Sequence, residues 1–327
     1  MNNYKQKILD FIGKNRQSNP NQITEFLGIS YQMTHRHLKS LLEKGVLIKL
    51  GKPPKVYYSL KQDSISVIPN ISVDTTTIDS INENFTLITP DGNEIEGIQG
   101  FSNWCHDRKF NPEKKAEEYV ALIQEYNQYK KDGIIGATSK LNQSFTKNDI
   151  FLDQLLYLHP HSLPVFGKTK IATWLFHGKQ TQNKMLIKKV LQKIIPEIQQ
   201  VIKNIHPDAI AFVPPTVPRA VQFMKELQKS LQIIIPQIQI EKIATPIMVQ
   251  QKSLKDITDR MINAENTMVV VNKNYTFKKV MIIDDFTGSG ATLNILAKKI
   301  KQQKIAQKVI GLTITGSMNG FEVVKEI

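Results

Sequence analysis

The chain has 327 residues, 41% of them hydrophobic, and a formal net charge of +14. This length suits two domains, or one domain with an appendage, and the apolar fraction is sufficient for a packed core. The single cysteine excludes an intramolecular disulfide and any cysteine-rich metal site. Residues 1–16 lack the apolar segment of a secretory signal, and no apolar run approaches about 18 residues, so we expect a soluble, cytoplasmic protein without a membrane partner.

The positive charge is concentrated at the amino end. Residues 1–60 hold ten Lys and Arg against three Asp and Glu, a net charge of +7, whereas residues 62–90 hold four acids and no base. A basic head followed by an acidic stretch rich in Ser, Thr and Asn indicates a domain boundary, with residues 61–84 as a linker. The basic head also favours a polyanionic partner.

Three helices and then two strands are predicted in the first sixty residues. Apolar residues recur there at helical spacing, and Ser30 is a suitable cap for the third helix. A basic Gly-Lys-Pro-Pro-Lys turn joins the two strands. This order is typical of a winged helix-turn-helix domain, here spanning residues 1–60. The predicted helices span 4–15, 21–27 and 31–44, and the predicted strands span 46–50 and 56–60.

Residues 29–38 resemble the recognition helix of ArsR- and MarR-like regulators. The resemblance implies that this helix enters the major groove of double-stranded DNA. The wing residues Lys52 and Lys55 would contact backbone phosphates, which position the protein without reading sequence. A winged helix used for protein contact is the alternative. The candidate DNA-binding residues on the helix are Tyr31, Gln32, His35, Arg36 and Lys39.

The middle of the chain, residues 85–162, carries no chemistry that its sequence identifies. A Pro-Asp-Gly-Asn turn flanked by apolar runs predicts a hairpin, and Pro112 starts a helical pattern. We therefore expect an accessory hairpin and helical region. Tyr119 and Tyr126 share one face of that helix, which makes it a candidate seam for a homodimer.

The strongest chemical pattern covers residues 280–292. Four consecutive apolar residues predict a buried parallel strand, and Asp284 and Asp285 stand at its end. Small and hydroxylated residues follow, and then a run with helical spacing. A strand, a tight turn and a helix start together form a seat for phosphate. Carboxylates at the carboxyl end of the strand can accept hydrogen bonds from a diol or face a metal ion.

This pattern resembles the phosphoribosyl pyrophosphate (PRPP) motif of type I phosphoribosyltransferases. The resemblance implies that Asp284 and Asp285 hold the ribose hydroxyls, and that Mg²⁺ accompanies PRPP near them without a direct protein ligand. One departure is that many members have Thr-Thr-Gly where this chain has Gly-Ser-Gly. The loop implied to hold the 5′-phosphate comprises Thr287, Gly288, Ser289, Gly290, Ala291 and Thr292.

The carboxyl half alternates strand-like and helical runs, which predicts a parallel sheet. The expected fold class is α/β, a parallel-sheet type I phosphoribosyltransferase-like domain over residues 163–327 with an N-terminal winged-helix domain. Residues 163–177 are predicted to form a hairpin over the site, in the position of the variable hood of the family. The predicted strands span 208–213, 238–243, 269–271, 279–283 and 309–314, and a helix is predicted over 218–231.

Two further stretches carry the resemblance. Arg219 lies in the turn where the family places its pyrophosphate loop, although a surface arginine is an equally weighted alternative. Residues 251–254, followed by Arg260 and Asn263, resemble a signature of ComF-type phosphoribosyltransferase-like proteins, at the place of a mobile loop that closes over PRPP. The resemblance implies that Arg219, Lys252 and Arg260 contact the diphosphate.

A DNA-binding head joined to a PRPP site is similar in architecture to the purine repressors, which use PRPP as an effector. The first hypothesis is therefore a DNA-binding transcriptional regulator that senses PRPP or a nucleotide. The alternatives are an active phosphoribosyltransferase of nucleotide salvage and a ComF-like factor of DNA uptake or processing. No residue is assigned a catalytic role, so enzymatic activity stays an open question.

Overall fold

Contacts divide the chain into two compact units, Met1–Ile71 and Ser72–Ile327. None of the helices in the described part of the chain combines the length and the apolar character that crossing a bilayer requires. The computed structural model describes residues 4–61, 71–245, 254, 256–271 and 276–317.

The first unit is a winged helix-turn-helix, as predicted. Its second helix begins with a reciprocal cap, in which the Asn19 side chain accepts from the Gln22 N–H and the Gln22 side chain accepts from the Asn19 N–H. Gly28 ends that helix with a φ of +63°, a conformation that glycine adopts without strain. The elements are α1 Tyr4–Asn15, β1 Gln17–Ser18, α2 Pro20–Leu27, α3 Tyr31–Glu43, β2 Leu47–Lys52 and β3 Lys55–Leu60.

A small apolar core holds this unit together, because each helix and the sheet contribute buried side chains. Burial of one such side chain contributes about 1.5–3 kcal/mol. The three strands pair in the order β1-β3-β2, all antiparallel. The buried members are Ile8, Ile12, Ile23, Leu38, Leu41, Leu47 and Tyr58.

The second unit opens with an aromatic core. Phe85, Phe101, Trp104 and Tyr119 pack with their ring centroids between 5.1 and 6.2 Å apart. The adjacent Cys105 is buried, and burial raises the pKa of its thiol to about 12, so the thiol is unreactive at neutral pH. The helices and strands here are α4 Thr75–Asn84, β4 Thr86–Ile88, β5 Glu94–Glu96, α5 Gly97–Asp107 and α6 Pro112–Gln128.

Two features of this region differ from the sequence-based expectation. Helix α4 forms within the stretch whose composition indicates a linker, because Asp74 caps it by accepting from the Thr77 N–H at 2.8 Å. Tyr119 and Tyr126 are buried inside the unit, at 2% and 7% exposure. These two rings therefore do not lie on a surface that a second copy could reach.

A seven-stranded sheet forms the centre of the second unit, and its five parallel strands confirm the α/β fold class. The parallel strands, in spatial order, are β12 Gln237–Ile238, β11 Ala209–Phe212, β15 Phe277–Thr287, β16 Ala306–Gly316 and β8 Gln154–Pro160. Two antiparallel strands, β7 Ile134–Gly136 and β6 Lys130–Lys131, complete the sheet.

Helices cover both faces of this sheet. Successive side chains of a strand point to opposite faces, so Val280 and Ile282 join one core while Met281 and Ile283 join the other. This explains why the strand has an unbroken apolar run. The helices are α7 Ser139–Ser144, α8 Lys170–Thr181, α9 Lys184–Ile205, α10 Phe223–Leu231, α11 Ile257–Thr267 and α12 Ala291–Gln302.

Other predicted elements differ in their bounds: the helix predicted over 218–231 begins only at Phe223, and some predicted strands form short pairs beside the sheet. The predicted hairpin over 163–177 is shorter, since β9 Ser162–Leu163 pairs with β10 Gly167–Lys168 and α8 starts soon afterwards, where Thr169 caps it. Outside the central sheet, β13 Ile240–Lys242 pairs antiparallel with β14 Met268–Val270.

Candidate functional site

The candidate ligand site lies where β15 ends, at the carboxyl edge of the parallel strands. The Asp284 side chain accepts a hydrogen bond from the Asp285 N–H at 2.7 Å, and both residues are partly exposed. Burial, together with the neighbouring Asp285 charge, raises the pKa of Asp284 to about 7. The two carboxylates are therefore reachable from solvent and sensitive to each other.

A lysine that the sequence analysis did not identify completes this pair. Lys179, on α8, forms an ion pair with the Oδ2 atom of Asp285, with the two side chains 26% and 17% exposed. The positive charge of Lys179 lowers the pKa of Asp284, opposing burial and the charge of Asp285. The negative charge of the carboxylate pair on β15 is thus partly neutralised by a lysine on α8.

The loop after the carboxylates turns directly into α12. Ser289 is buried, and its Oγ accepts from the Ala291 N–H at 3.4 Å. Gly290 has a φ of +80°, and a Cβ there would lie 2.9 Å from Leu141 Cδ2, so only glycine fits. Because the first-turn N–H groups of a helix have no intrahelical acceptors, this start is a suitable anion seat.

Of the three basic residues implied by the resemblance, one lies against this loop. The Nη1 atom of Arg260 is 3.9 Å from the position that a Cβ at Gly288 would occupy, and its Nε donates to the Leu254 carbonyl at 2.8 Å. Arg219 instead contacts the last turn of α8, where its Nη2 is 3.2 Å from Gln180 Oε1. Lys252 lies outside the described residues.

An aromatic pair stands beside the carboxylates. The His161 and Phe286 rings lie 4.6 Å apart, and the His161 Nδ1 is 3.2 Å from the Thr315 hydroxyl. Phe286 is 39% exposed, which is unusual for a large apolar side chain at the end of a buried strand. No sequence motif links His161 to residues more than a hundred positions later, so its place beside Phe286 emerges only from the structure.

Asn294 fixes the position of α12. Its side-chain oxygen accepts from the Phe151 N–H at 2.8 Å and the Leu152 N–H at 3.1 Å, and its nitrogen donates to the Asp149 carbonyl at 2.7 Å. The residue is fully buried. Asn294 is a lone polar residue on an otherwise apolar helix face, and this pattern in the sequence could have indicated its structural role.

The side chains at this site suit a diol better than a directly bound metal ion. No group of three His, Cys, Asp or Glu side chains placed to hold a metal occurs in the part of the chain that the structure describes. At the carboxylate pair, the Lys179 ammonium already contacts Asp285. A sugar diol needs only hydrogen-bond acceptors, which both carboxylates supply.

On the first unit, most of the candidate DNA-binding side chains are exposed. Tyr31, Gln32, Arg36 and Lys39 face solvent from α3, and Lys52 and Lys55 face solvent from the wing. His35 is half-buried, with its ring 4.4 Å from that of Tyr31. The His35 Nε2 is buried and finds no partner among the described residues, so this nitrogen could contact a base only after the side chain rotates.

Replacing both wing lysines should weaken DNA binding without changing sequence preference. For Lys52→Ala with Lys55→Ala, we expect affinity to fall for every duplex tested, because both side chains are predicted to neutralise phosphates. The slope of log affinity against log salt should fall by about 0.9 per lost phosphate contact. Fluorescence anisotropy at several salt concentrations measures this slope. Arginine at both positions is the charge-matched control, and an unchanged slope in the alanine protein would contradict the assignment.

Comparisons with known proteins support the first unit only. Residues 1–48 match the profile of a family described as winged helix-turn-helix, DNA-binding. No curated protein matches the chain. A solved structure of a hypoxanthine phosphoribosyltransferase from Staphylococcus aureus aligns with 39% of this chain and 64% of its own, at 12% identity and a TM-score of 0.24. The chain thus spans less than two thirds of that enzyme's length. A similarity at this TM-score is too weak to assign a fold or a function. The chain is shown to contain a winged helix-turn-helix of a DNA-binding type.

Proposed function

We propose that this protein is a DNA-binding transcriptional regulator whose second unit binds a 5-phosphorylated ribose, as PRPP or as a nucleotide. The observation that carries the proposal is the arrangement at the end of β15. Two partly exposed carboxylates, Asp284 and Asp285, stand directly before a glycine-containing loop that opens a helix. One ligand with a diol beside a phosphate would engage both parts.

The chemistry of each half follows from the donors and acceptors present. Ribose hydroxyls donate hydrogen bonds, and the ionised carboxylates of Asp284 and Asp285 only accept them. The 5′-phosphate would accept hydrogen bonds from N–H groups of the loop that opens α12, where the helix dipole adds positive potential; the Ala291 N–H would have to leave Ser289 Oγ to take part. The Arg260 guanidinium, beside Gly288, would add a bidentate donor to the phosphate or diphosphate.

If PRPP is the ligand, Mg²⁺ would enter with its diphosphate. We assign no side chain to the metal, and the diphosphate would be contacted by Arg219 and Lys252, as the resemblance implies. Mg²⁺ would supply charge neutralisation of the diphosphate, while the protein residues position the ribose and the phosphate. The proposal places the protein in the cytoplasm, where DNA and the soluble nucleotide pool are both accessible.

Regulation requires that ligand favour one DNA-binding state over another. A coupling free energy of about 1–3 kcal/mol between the two sites would change DNA affinity roughly 5- to 150-fold. By thermodynamic reciprocity, DNA would change the affinity for the ligand by the same factor. A homodimer on a two-fold symmetric operator is part of the proposal, since winged-helix regulators commonly bind as dimers.

The test uses the full chain and a pool of random duplexes. The duplexes that the protein enriches are sequenced, and their affinity is measured by anisotropy with and without PRPP and Mg²⁺. We expect a 5- to 150-fold change on addition of PRPP, as that coupling implies. Pyrophosphate release with a panel of bases is measured in parallel. A DNA affinity that does not change with PRPP, ribose 5-phosphate or nucleotides would contradict the sensing proposal. Steady pyrophosphate release would instead identify an enzyme.

A further inference from the structure

Lys179 is held in place beside Asp285 by the corner between α8 and α9. Gly178 approaches α9 so closely that a Cβ there would lie 3.2 Å from Ile187 Cγ1. The Asn183 N–H donates to the Gly178 carbonyl at 3.0 Å, which closes the corner. The lysine therefore extends from a fixed helix end, unlike a mobile surface lysine.

The same helix end is tied to the loop that follows β11. The Gln182 Oε1 accepts from the Val221 N–H at 3.1 Å, and Gln180 Oε1 is 3.2 Å from Arg219 Nη2. The last turn of α8 thus joins Asp285 on one side to the loop of Arg219 on the other. Lys179 thus reaches Asp285 from a helix end that is held on both sides, which makes its ammonium part of the ligand site.

We infer that Lys179 takes the place of a divalent cation beside Asp285, so that the second unit binds the ribose 5-phosphate group of a nucleoside monophosphate without metal. This inference rests on the proposed function, since it concerns the same site. It also names a class of ligand that lacks a diphosphate and so brings no Mg²⁺ of its own.

The physical reason is the charge of the carboxylate pair. Two adjacent carboxylates repel each other, and one of them tends to take up a proton unless a cation lies nearby. A protonated carboxyl accepts hydrogen bonds from a diol poorly, so a nearby cation that favours the ionised form strengthens diol binding at this site. Lys179 supplies that cation from the protein, in place of a metal.

The experiment measures ribose 5-phosphate binding to the full chain by calorimetry, once with Mg²⁺ and once with a chelator. We expect the natural protein to bind equally in both conditions. Lys179→Met should bind about tenfold more weakly in chelator, a loss of roughly 1.4 kcal/mol, and should recover most of that affinity when Mg²⁺ is added. Lys179→Arg, which keeps the charge, should bind without metal. Lys188→Met, at an exposed position of α9, is the matched control.

The outcomes separate this inference from the proposed function. If the natural protein binds ribose 5-phosphate only with Mg²⁺, or if Lys179→Met binds as tightly as the natural protein in chelator, the role of Lys179 is wrong while the ligand site stands. If ribose 5-phosphate and PRPP fail to bind in either condition, the proposed function fails, and this inference fails with it. Thermal unfolding of each variant confirms that the comparison is between folded proteins.

Discussion

A protein carrying both Asp284→Asn and Asp285→Asn is expected to lose affinity for PRPP by about 100-fold. Each replacement exchanges a charged acceptor for a neutral one, which lowers the contribution of a hydrogen bond from about 1.5–3 to about 0.5–1.5 kcal/mol. Two such changes cost roughly 2–3 kcal/mol, which corresponds to about 100-fold in affinity. Asparagine keeps the shape of the side chain, so the strand and loop should fold as before. Calorimetry with PRPP and Mg²⁺ measures the loss.

The control for this experiment removes two negative charges elsewhere. Glu117→Gln with Glu125→Gln changes two exposed positions of α6 and should leave PRPP affinity unchanged. DNA binding in the absence of ligand should survive in both proteins, because the winged helix-turn-helix lies in the first unit. PRPP binding that persists at full strength in the asparagine protein would show that the ligand site is elsewhere.

The Asn294→Ala protein is expected to lose about 3 kcal/mol of unfolding free energy. The replacement leaves the N–H groups of Phe151 and Leu152 and the carbonyl of Asp149 without the partners that they have in the structure. A buried polar group left unpaired costs about 1–3 kcal/mol, so three such groups give a large effect even if water relieves some of them. Urea unfolding followed by circular dichroism gives the free energy.

An exposed asparagine provides the comparison for this measurement. Asn204, near the end of α9, faces solvent, and its replacement by alanine should change stability by no more than about 0.5 kcal/mol. If Asn294→Ala unfolds at the same urea concentration as Asn204→Ala, then the three hydrogen bonds do not hold α12 against the segment before β8.

Local patterns predict those parts of the fold whose stability is decided within one segment. Amphipathic spacing predicts a helix over 4–15, and the structure has Tyr4–Asn15. The two-residue strand β1 is not predicted, because it pairs with Tyr58 and Ser59, which lie far along the chain. Strand β8 has an apolar run, yet its parallel pairing with β16 joins Leu156 to Leu312, and no local signal indicates such a partner.

The candidate site likewise has a part that the sequence predicts and a part that depends on contacts between distant segments. The carboxylates and the phosphate loop are contiguous in sequence, so their residue types alone indicate the chemistry. Lys179 stands 106 positions before Asp285, on a helix where it reads as one of many surface lysines. The packing of α8 against α9 holds the helix end from which this ammonium reaches the carboxylate, and no pattern within α8 indicates that contact.

The raised pKa of Asp284 makes ligand uptake a proton-releasing reaction. Burial and the charge of Asp285 outweigh the opposing charge of Lys179 and hold the pKa of this carboxyl in the empty site well above the ordinary range of an aspartate. Hydroxyls that donate to the carboxylate favour its ionised form, so a bound diol lowers the pKa and expels the proton. Affinity should therefore weaken as the solution becomes more acidic than pH 7, and the measured heat should vary with the ionisation enthalpy of the buffer. A sensor built on this pair would respond to acidity as well as to its effector.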